Sequence, residues 1–271
     1  MSTREIDRTP ALLVTVIDHL EADLALSTGA DVLDVKDPGR GALGAAPLEA
    51  LAAIVARRDA WRRSGGSRRP VSVALGDRAD LPDLPRLAAE SARAGADILK
   101  VGLLGIVDPI EARSSLAPIV AAARAANRAV RLVAAGFADL AHTVSLPAGL
   151  LAGVAAAAGA DGCLIDTARK DGRSLLQHLD LKALGAIVRE TRRQGLFIAL
   201  AGSLRTSDLR ALRDLRPDFI GVRGAVCRGG RVGPLDAQRL AGFLGALRGA
   251  GSGEAFPGTP ERHPTERPTG R

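Results

Sequence analysis

Short apolar runs alternate with stretches of helical periodicity along almost the whole chain, and this alternation limits the fold more than any other feature. Short apolar runs bounded by turn residues are typical of buried parallel strands, and the helices between them are typical of crossover connections. The predicted strands are residues 11–17, 30–36, 71–75, 97–101, 130–135, 162–165, 196–201 and 219–222. The predicted helices are residues 18–29, 47–63, 84–95, 110–127, 147–159, 179–195, 206–215 and 235–248.

Eight strand–helix pairs predict an α/β protein that folds as a single (β/α)8 TIM barrel. A doubly wound open sheet is the main alternative, but its G-x-G-x-x-G phosphate fingerprint is missing after the first strand. The tripeptide Gly-Ala-Asp recurs before the second, fourth and sixth strands and supports the eightfold count. We therefore expect one catalytic domain over residues 1–248, followed by a disordered Gly/Pro-rich tail over residues 249–271.

Composition narrows the range of partners. No apolar run reaches the roughly 18 residues of a membrane span, and the first ten residues do not resemble a secretory signal. Cys163 and Cys227 lack metal-binding spacing and suggest a reduced, cytoplasmic location. The net charge is +7, but aromatic residues make up only 2% of the chain, which disfavours nucleic-acid binding. We expect a small anionic substrate, a homo-oligomer, and no nucleic-acid or membrane partner.

Lysine is scarce in this chain, which has four lysines against 33 arginines. Lysine can lose its proton and attack a carbonyl group, whereas arginine effectively cannot. Lys36, Lys100 and Lys170 lie at or just beyond the ends of predicted strands, whereas Lys182 lies in a predicted helix and is expected at the surface. In the run DVLDVKDP, strand periodicity places Asp34 and Lys36 on the same face.

Polar residues are predicted to meet at one end of the barrel, because the carboxyl ends of all eight strands lie there. The ends of the even strands carry Lys36, Lys100, Asp166 and Arg223, and the third and fifth strands end in Asp77 and Asp139. A single charge at a strand end often only caps a loop, but Lys36, Lys100 and Asp166 together favour chemistry. Two neighbouring amines disfavour each other's protonation, so one can attack an aldehyde while the other, or a carboxylate such as Asp34, moves protons.

The role of Lys170 is open at this stage, because a loop lysine can fold over the mouth of the barrel or be solvated. A phosphate site is predicted in the loops after the seventh and eighth strands, where many barrels hold one. The predicted phosphate ligands are Gly202, Ser203, Arg223 and Gly224. The glycines there are equally compatible with ordinary turns. The four histidines show no metal spacing, so neither a metal ion nor another cofactor is expected.

Six motifs occur in a characteristic order, and they are DVKDPGRGALGA, KVGL, FAD, DTARKDG, LAGSL and GVRGAVC. Over roughly residues 11–247 the chain resembles the (5-formylfuran-3-yl)methyl phosphate synthase family of methanofuran biosynthesis, also called 4-(hydroxymethyl)-2-furancarboxaldehyde-phosphate synthase. The chain departs from the usual family motifs at three positions, which are Asp37 for asparagine, Ala42 for serine and Phe137 for tyrosine. The last two replacements remove hydroxyl groups.

The resemblance implies a TIM barrel that condenses two molecules of glyceraldehyde 3-phosphate, with loss of one phosphate and two waters. It also implies that Lys36 forms the Schiff base and that Lys100 is the proton acceptor. Asp34, Asp166 and Lys170 are implied as supporting groups. Two alternatives are another class I aldolase acting on a phosphorylated aldehyde and a non-catalytic barrel that binds a phosphorylated metabolite.

Overall fold

The computed structural model describes residues 9–78 and 81–249 of the chain. The strands in this part are β1 (Ala11–Val16), β2 (Val32–Val35), β3 (Val71–Gly76), β4 (Ile98–Gly102), β5 (Arg131–Phe137), β6 (Gly162–Asp166), β7 (Phe197–Leu200) and β8 (Phe219–Val222). The helices are α1 (His19–Thr28), α2 (Leu48–Arg63), α3 (Leu84–Arg93), α4 (Pro109–Ala126), α5 (Leu151–Ala157), α6 (Leu181–Arg193), α7 (Leu209–Asp214) and α8 (Ala237–Arg248).

The eight strands form a closed parallel barrel in chain order, and β8 pairs with β1 to complete it. The predicted (β/α)8 fold is therefore confirmed. Most element ends differ from the predicted ones by one or two residues. The main differences are at α5 and α7, where 3₁₀ turns (Ala148–Leu150 and Thr206–Asp208) take up the start of the predicted helix. Residues 250–271 of the predicted disordered tail lie outside the described ranges, so this disorder stays a prediction.

Four aspartates explain the Gly-Ala-Asp repeat. Each lies just before an even-numbered strand, and its carboxylate accepts the N–H of a residue at the start of the preceding strand, at 2.8–2.9 Å. The backbone N–H of each aspartate donates in turn to the carbonyl oxygen of that same residue. These strand-start aspartates and their partners are Asp31 with Leu12, Asp97 with Val71, Asp161 with Leu132, and Asp218 with Ile198. The repeat is therefore fourfold, although only three of its members carry the full tripeptide.

Removing one strand-start carboxylate should destabilise the barrel measurably. In Asp218→Ala, the partly buried N–H of Ile198 loses its acceptor, and we expect a loss of about 1–2 kcal/mol in the free energy of unfolding. Urea denaturation measures this loss. The control is Asp214→Ala, which removes an exposed carboxylate from the end of α7. Equal midpoints for the two variants would contradict the role assigned to Asp218.

Apolar side chains fill the amino-terminal part of the barrel interior. The carboxyl ends of the strands are therefore left for a site. A buried cluster inside the barrel includes Ala74, Ile98 and Leu164. The rings of Phe197 and Phe219, at the first residues of β7 and β8, meet edge to face at a centroid distance of 5.6 Å and pack against this cluster. Apolar packing therefore closes the amino-terminal end of the barrel. None of the helices within residues 9–78 and 81–249 combines the length and the hydropathy that a membrane span requires.

Candidate active site

Two lysines share one carboxylate at the floor of a cavity of about 350 Å³ in the barrel mouth. Lys36 follows β2 directly, and Lys100 lies in β4. Asp34 lies between them, with Oδ1 2.5 Å from the Nζ of Lys100 and Oδ2 3.9 Å from the Nζ of Lys36. Their exposed fractions are 0% for Asp34, 8% for Lys36 and 3% for Lys100. The structure thus places both amines in one compartment, and both line the cavity.

Neighbouring strands hold Asp34 in place. Thr15 of β1 and Ser72 of β3 are in register with Asp34 on either side. The Thr15 hydroxyl donates to Oδ2 of Asp34 at 3.2 Å. Burial by itself would raise the pKa of Asp34. The charges of Lys100 and Lys36 outweigh burial and hold this pKa below its usual value.

Lys100 is easier to deprotonate than an ordinary lysine. Burial lowers its pKa because the charged ammonium loses its water, and the positive charge of Lys36 adds to this effect. The carboxylate of Asp34 opposes both influences without cancelling them. An amine with a lowered pKa beside a second amine can take up a proton, which is the property that a general base requires.

Lys170 belongs to the cavity wall. Its ammonium donates to Oδ1 of Asp166 at 2.7 Å and to the carbonyl oxygen of Thr167 at 2.6 Å. Burial lowers the pKa of Lys170, against the opposing effect of Asp166. Burial would raise the pKa of Asp166, but Lys170 and Lys36 bring it below its usual value. The sequence left two positions open for Lys170, at the mouth of the barrel or in a solvated loop. The structure places its side chain at the mouth.

Asp77 and Asp139, which the sequence also placed at the mouth, anchor loops. Both carboxylate oxygens of Asp139 accept backbone N–H groups, from Ala168 and Arg169 at 2.8 Å, and so hold the loop that carries Lys170. Oδ1 of Asp77 accepts the N–H of Leu43 at 2.8 Å. Loop anchoring therefore accounts for both oxygens of Asp139 and for one oxygen of Asp77.

The loop held by Asp77 also contacts Lys36. The carbonyl oxygen of Ala42 belongs to the same peptide group as the Leu43 N–H, and it accepts a hydrogen bond from the Nζ of Lys36 at 3.2 Å. One peptide group therefore joins Asp77 to the lysine. Gly41 precedes it with φ +118°, and an added Cβ would lie 1.9 Å from Oδ2 of Asp77, so this position requires glycine.

Arg223 was predicted as a phosphate ligand, but internal acceptors occupy all five of its N–H donors. Its two Nη atoms form an ion pair with the buried carboxylate of Glu21 and also donate to the carbonyl oxygens of Thr15 and Gly233. Its Nε donates to the carbonyl oxygen of Arg231 at 2.9 Å. The side chain therefore ties β1, α1 and the loop before α8 together and has no donor left for a phosphate. No sequence signal distinguished Glu21 as its partner.

The remaining residues predicted to bind phosphate line the same cavity. Gly202, Ser203 and Gly224 lie in its wall, and Gly202 and Ser203 have φ values of +110° and +48°. At Gly202 an added Cβ would lie 3.0 Å from the side chain of Thr167. Two arginines that the sequence did not indicate, Arg205 and Arg231, also line the cavity. Among the described residues no group of three or more His, Cys, Asp or Glu side chains could hold a metal ion.

The closed barrel and the buried amines at its mouth define a (β/α)8-barrel protein with a lysine-rich candidate active site. A family model described as 4-HFC-P synthase matches residues 12–243. A protein of Archaeoglobus fulgidus named (5-formylfuran-3-yl)methyl phosphate synthase is 34% identical, over 88% of this chain and 99% of that protein. A protein of Methanosarcina acetivorans with the same name is 39% identical, over 81% and 92%. The chain belongs to the 4-HFC-P synthase family.

Solved structures support the fold alone. Phosphoribosyl anthranilate isomerase from Thermus thermophilus superposes with a TM-score of 0.57 at 18% identity, covering 88% of this chain and 98% of that one. A 3-hexulose-6-phosphate synthase superposes with a TM-score of 0.57 at 20% identity, covering 86% and 99%. At such low identity their chemistry is not transferable to this chain.

Proposed function

We propose that this chain is a carbon–oxygen lyase that makes (5-formylfuran-3-yl)methyl phosphate from two molecules of glyceraldehyde 3-phosphate, in methanofuran biosynthesis. The overall reaction balances, because two triose phosphates lose one phosphate and two waters to give the furan phosphate. The observation that carries the proposal is the shared carboxylate of Asp34 between two buried amines, in a member of a family whose relatives bear the synthase name.

The proposed reaction begins at Lys36. Its Nζ, held by the Ala42 carbonyl, attacks the aldehyde of the first triose phosphate, and loss of water gives an iminium ion. Lys100 then removes the proton from the adjacent carbon, and the pair of electrons left behind forms an enamine. The lowered pKa of Lys100 supports this role, because a neutral amine is needed to accept the proton.

Aldol addition then joins the triose held on Lys36 to the second triose phosphate. The paired groups Asp166 and Lys170 lie on the cavity wall, where we assign them the proton transfers of the later steps. Elimination of one phosphate, ring closure and dehydration complete the furan. Lys36 is released when the iminium is hydrolysed. The expectations of a cytoplasmic location and of a homo-oligomer stay predictions.

The direct test incubates the purified chain with glyceraldehyde 3-phosphate alone and follows the ultraviolet absorbance of the furan aldehyde. We expect one inorganic phosphate released per furan formed. Lys100→Arg is the matched variant, because it keeps a cation beside Asp34 but cannot act as the base; it should bind the substrate without turnover. A product without the furan chromophore would replace the proposal with another aldolase reaction, and binding without any product would indicate a non-catalytic barrel.

The pH dependence of the reaction should respond to the charge of Asp34. This carboxylate raises the pKa of Lys100 against the effect of burial, so Asp34→Asn should lower that pKa further. Lys100 then becomes neutral at lower pH, and the acidic limb of the profile of kcat/KM against pH should move to lower pH while the maximal rate falls. Thr15→Val is the control, because it removes a hydrogen bond to Asp34 without changing its charge. An unmoved limb in Asp34→Asn would contradict Lys100 as the titrating base.

A further inference from the structure

Arg205 and Arg231 differ from the other cations of the cavity wall. Lys36, Lys100 and Lys170 each have a carboxylate oxygen within 4 Å, at 3.9, 2.5 and 2.7 Å, and Arg223 is paired with Glu21. Each of these four cations therefore already has a carboxylate of the protein nearby, and Lys36 and Lys100 share one. Within the ranges that the structure describes, no carboxylate forms an ion pair with the two remaining arginines of the wall.

Each of these arginines makes one side-chain hydrogen bond within the described residues. Nη2 of Arg205 donates to the carbonyl oxygen of Gly172 at 2.7 Å. Nη2 of Arg231 donates to the carbonyl oxygen of Gly41 at 3.0 Å. A guanidinium group carries five N–H donors, so most of the donors of both side chains stay available to a ligand.

The two guanidinium groups contact loops that lie on opposite sides of the mouth. Gly41 belongs to the loop after β2 and Gly172 to the loop after β6, and these strands are four places apart in a ring of eight. The two lysines and Asp34 lie at the floor between them. The arrangement therefore has two cationic ends and one reactive centre.

The position of Arg231 is fixed by the buried ion pair below it. Its carbonyl oxygen accepts the Nε of Arg223, and its backbone lies about 3.7 Å from where a side chain on Gly224 would begin. The side chain is half-buried and reaches across to the loop that follows Lys36. Partial removal from water strengthens the attraction between a guanidinium and an anion.

We propose that Arg231 and Arg205 each bind the phosphate of one of the two substrate molecules. The number of phosphates rests on the proposed function, in which two triose phosphates are present together. Arg231 holds the phosphate of the triose attached to Lys36, because its guanidinium lies against the loop after β2. Arg205 holds the phosphate of the second triose on the β6 side. The planar guanidinium suits this task, since it donates two parallel hydrogen bonds to phosphate oxygens.

The test uses glycerol 3-phosphate, which carries the phosphate but has no aldehyde to react with a lysine. Isothermal titration calorimetry of the full chain should find two molecules bound per chain. Arg231→Ala and Arg205→Ala should each lose one of the two sites, or bind there roughly tenfold to a hundredfold more weakly. Arg231→Lys and Arg205→Lys should recover part of the affinity, because lysine keeps the positive charge but cannot donate two parallel hydrogen bonds to phosphate.

Matched controls come from neighbouring exposed arginines. Arg228 lies in the same loop as Arg231 and pairs with Asp236 at 3.4 Å, and Arg210 lies in α7 close in sequence to Arg205. Arg228→Ala and Arg210→Ala should both keep two sites. A wild-type chain that binds one molecule or none, or two sites that survive both alanine substitutions at Arg231 and Arg205, would overturn the proposal.

Turnover separates this inference from the proposed function. If the furan forms and Arg231→Ala and Arg205→Ala leave the KM for glyceraldehyde 3-phosphate unchanged, the phosphate assignment fails and the synthase function stands. If glycerol 3-phosphate binds at two arginine-dependent sites but no furan forms, the function fails and the two phosphate sites stand.

Discussion

Lys36→Arg is expected to abolish turnover of glyceraldehyde 3-phosphate, by about 10⁴-fold or more, because loss of a covalent catalyst removes the whole reaction path that depends on it. A guanidinium stays protonated and forms no imine. Borohydride added with the substrate should reduce the imine in the unmodified chain and attach one triose to Lys36. In Lys36→Arg no such adduct should form, and peptide mass spectrometry measures both results.

Lys182→Arg is the control for this substitution. Lys182 is an exposed residue of α6, so the same exchange there should change neither turnover nor labelling. Lys100 and Lys170 serve as internal comparisons, because both line the cavity with Lys36. Full labelling at one of them, with Lys36 unmodified, would refute Lys36 as the Schiff-base residue.

Glu21→Ala is expected to have the largest effect on stability, with a loss of about 3–5 kcal/mol in the free energy of unfolding. The substitution leaves the buried charge of Arg223 without a carboxylate. It also removes the acceptor of two backbone N–H groups, those of Ile17 and Leu235, which bond to Glu21 at 3.1 and 2.9 Å. Urea denaturation followed by circular dichroism measures the loss.

Two further variants test the cause of this loss. Glu190→Ala removes a carboxylate from the exposed pair with Arg193, where water replaces the lost contact, and it should leave the unfolding midpoint within error. In the double variant Glu21→Ala with Arg223→Leu, no buried charge is left unpaired, so part of the loss should be recovered. A double variant less stable than Glu21→Ala would show that the unpaired charge is not the main cause.

The buried aspartates show how far the sequence could predict the site. Asp34 was expected beside Lys36 because strand periodicity puts alternate residues on one face, and its contact with Lys36 agrees. Asp77 and Asp139 also end strands, and sequence position alone did not separate them from Asp34. The difference is that backbone N–H groups of neighbouring loops reach their carboxylates, and loop paths depend on the whole barrel.

The arginines show the same limit more strongly. Arg223 was predicted to bind phosphate because it follows β8, where barrels often have a phosphate site. Its partner Glu21 is 202 residues away in the chain, so no local pattern relates the two. Arg205 and Arg231 were not distinguished from the other 31 arginines, because only the fold brings them into the cavity wall.

The amino-acid sequence by itself determined the barrel, the family and the positions of Lys36 and Lys100 at the mouth, because apolar periodicity and motif order are local properties of the chain. It left the position of Lys170 open. Only the tertiary structure decided which charges are neutralised by the protein and which stay available to a ligand. The physical reason is that a charge is balanced by whatever lies within a few ångströms of it, and in a closed barrel those neighbours come from strands and loops far apart in sequence.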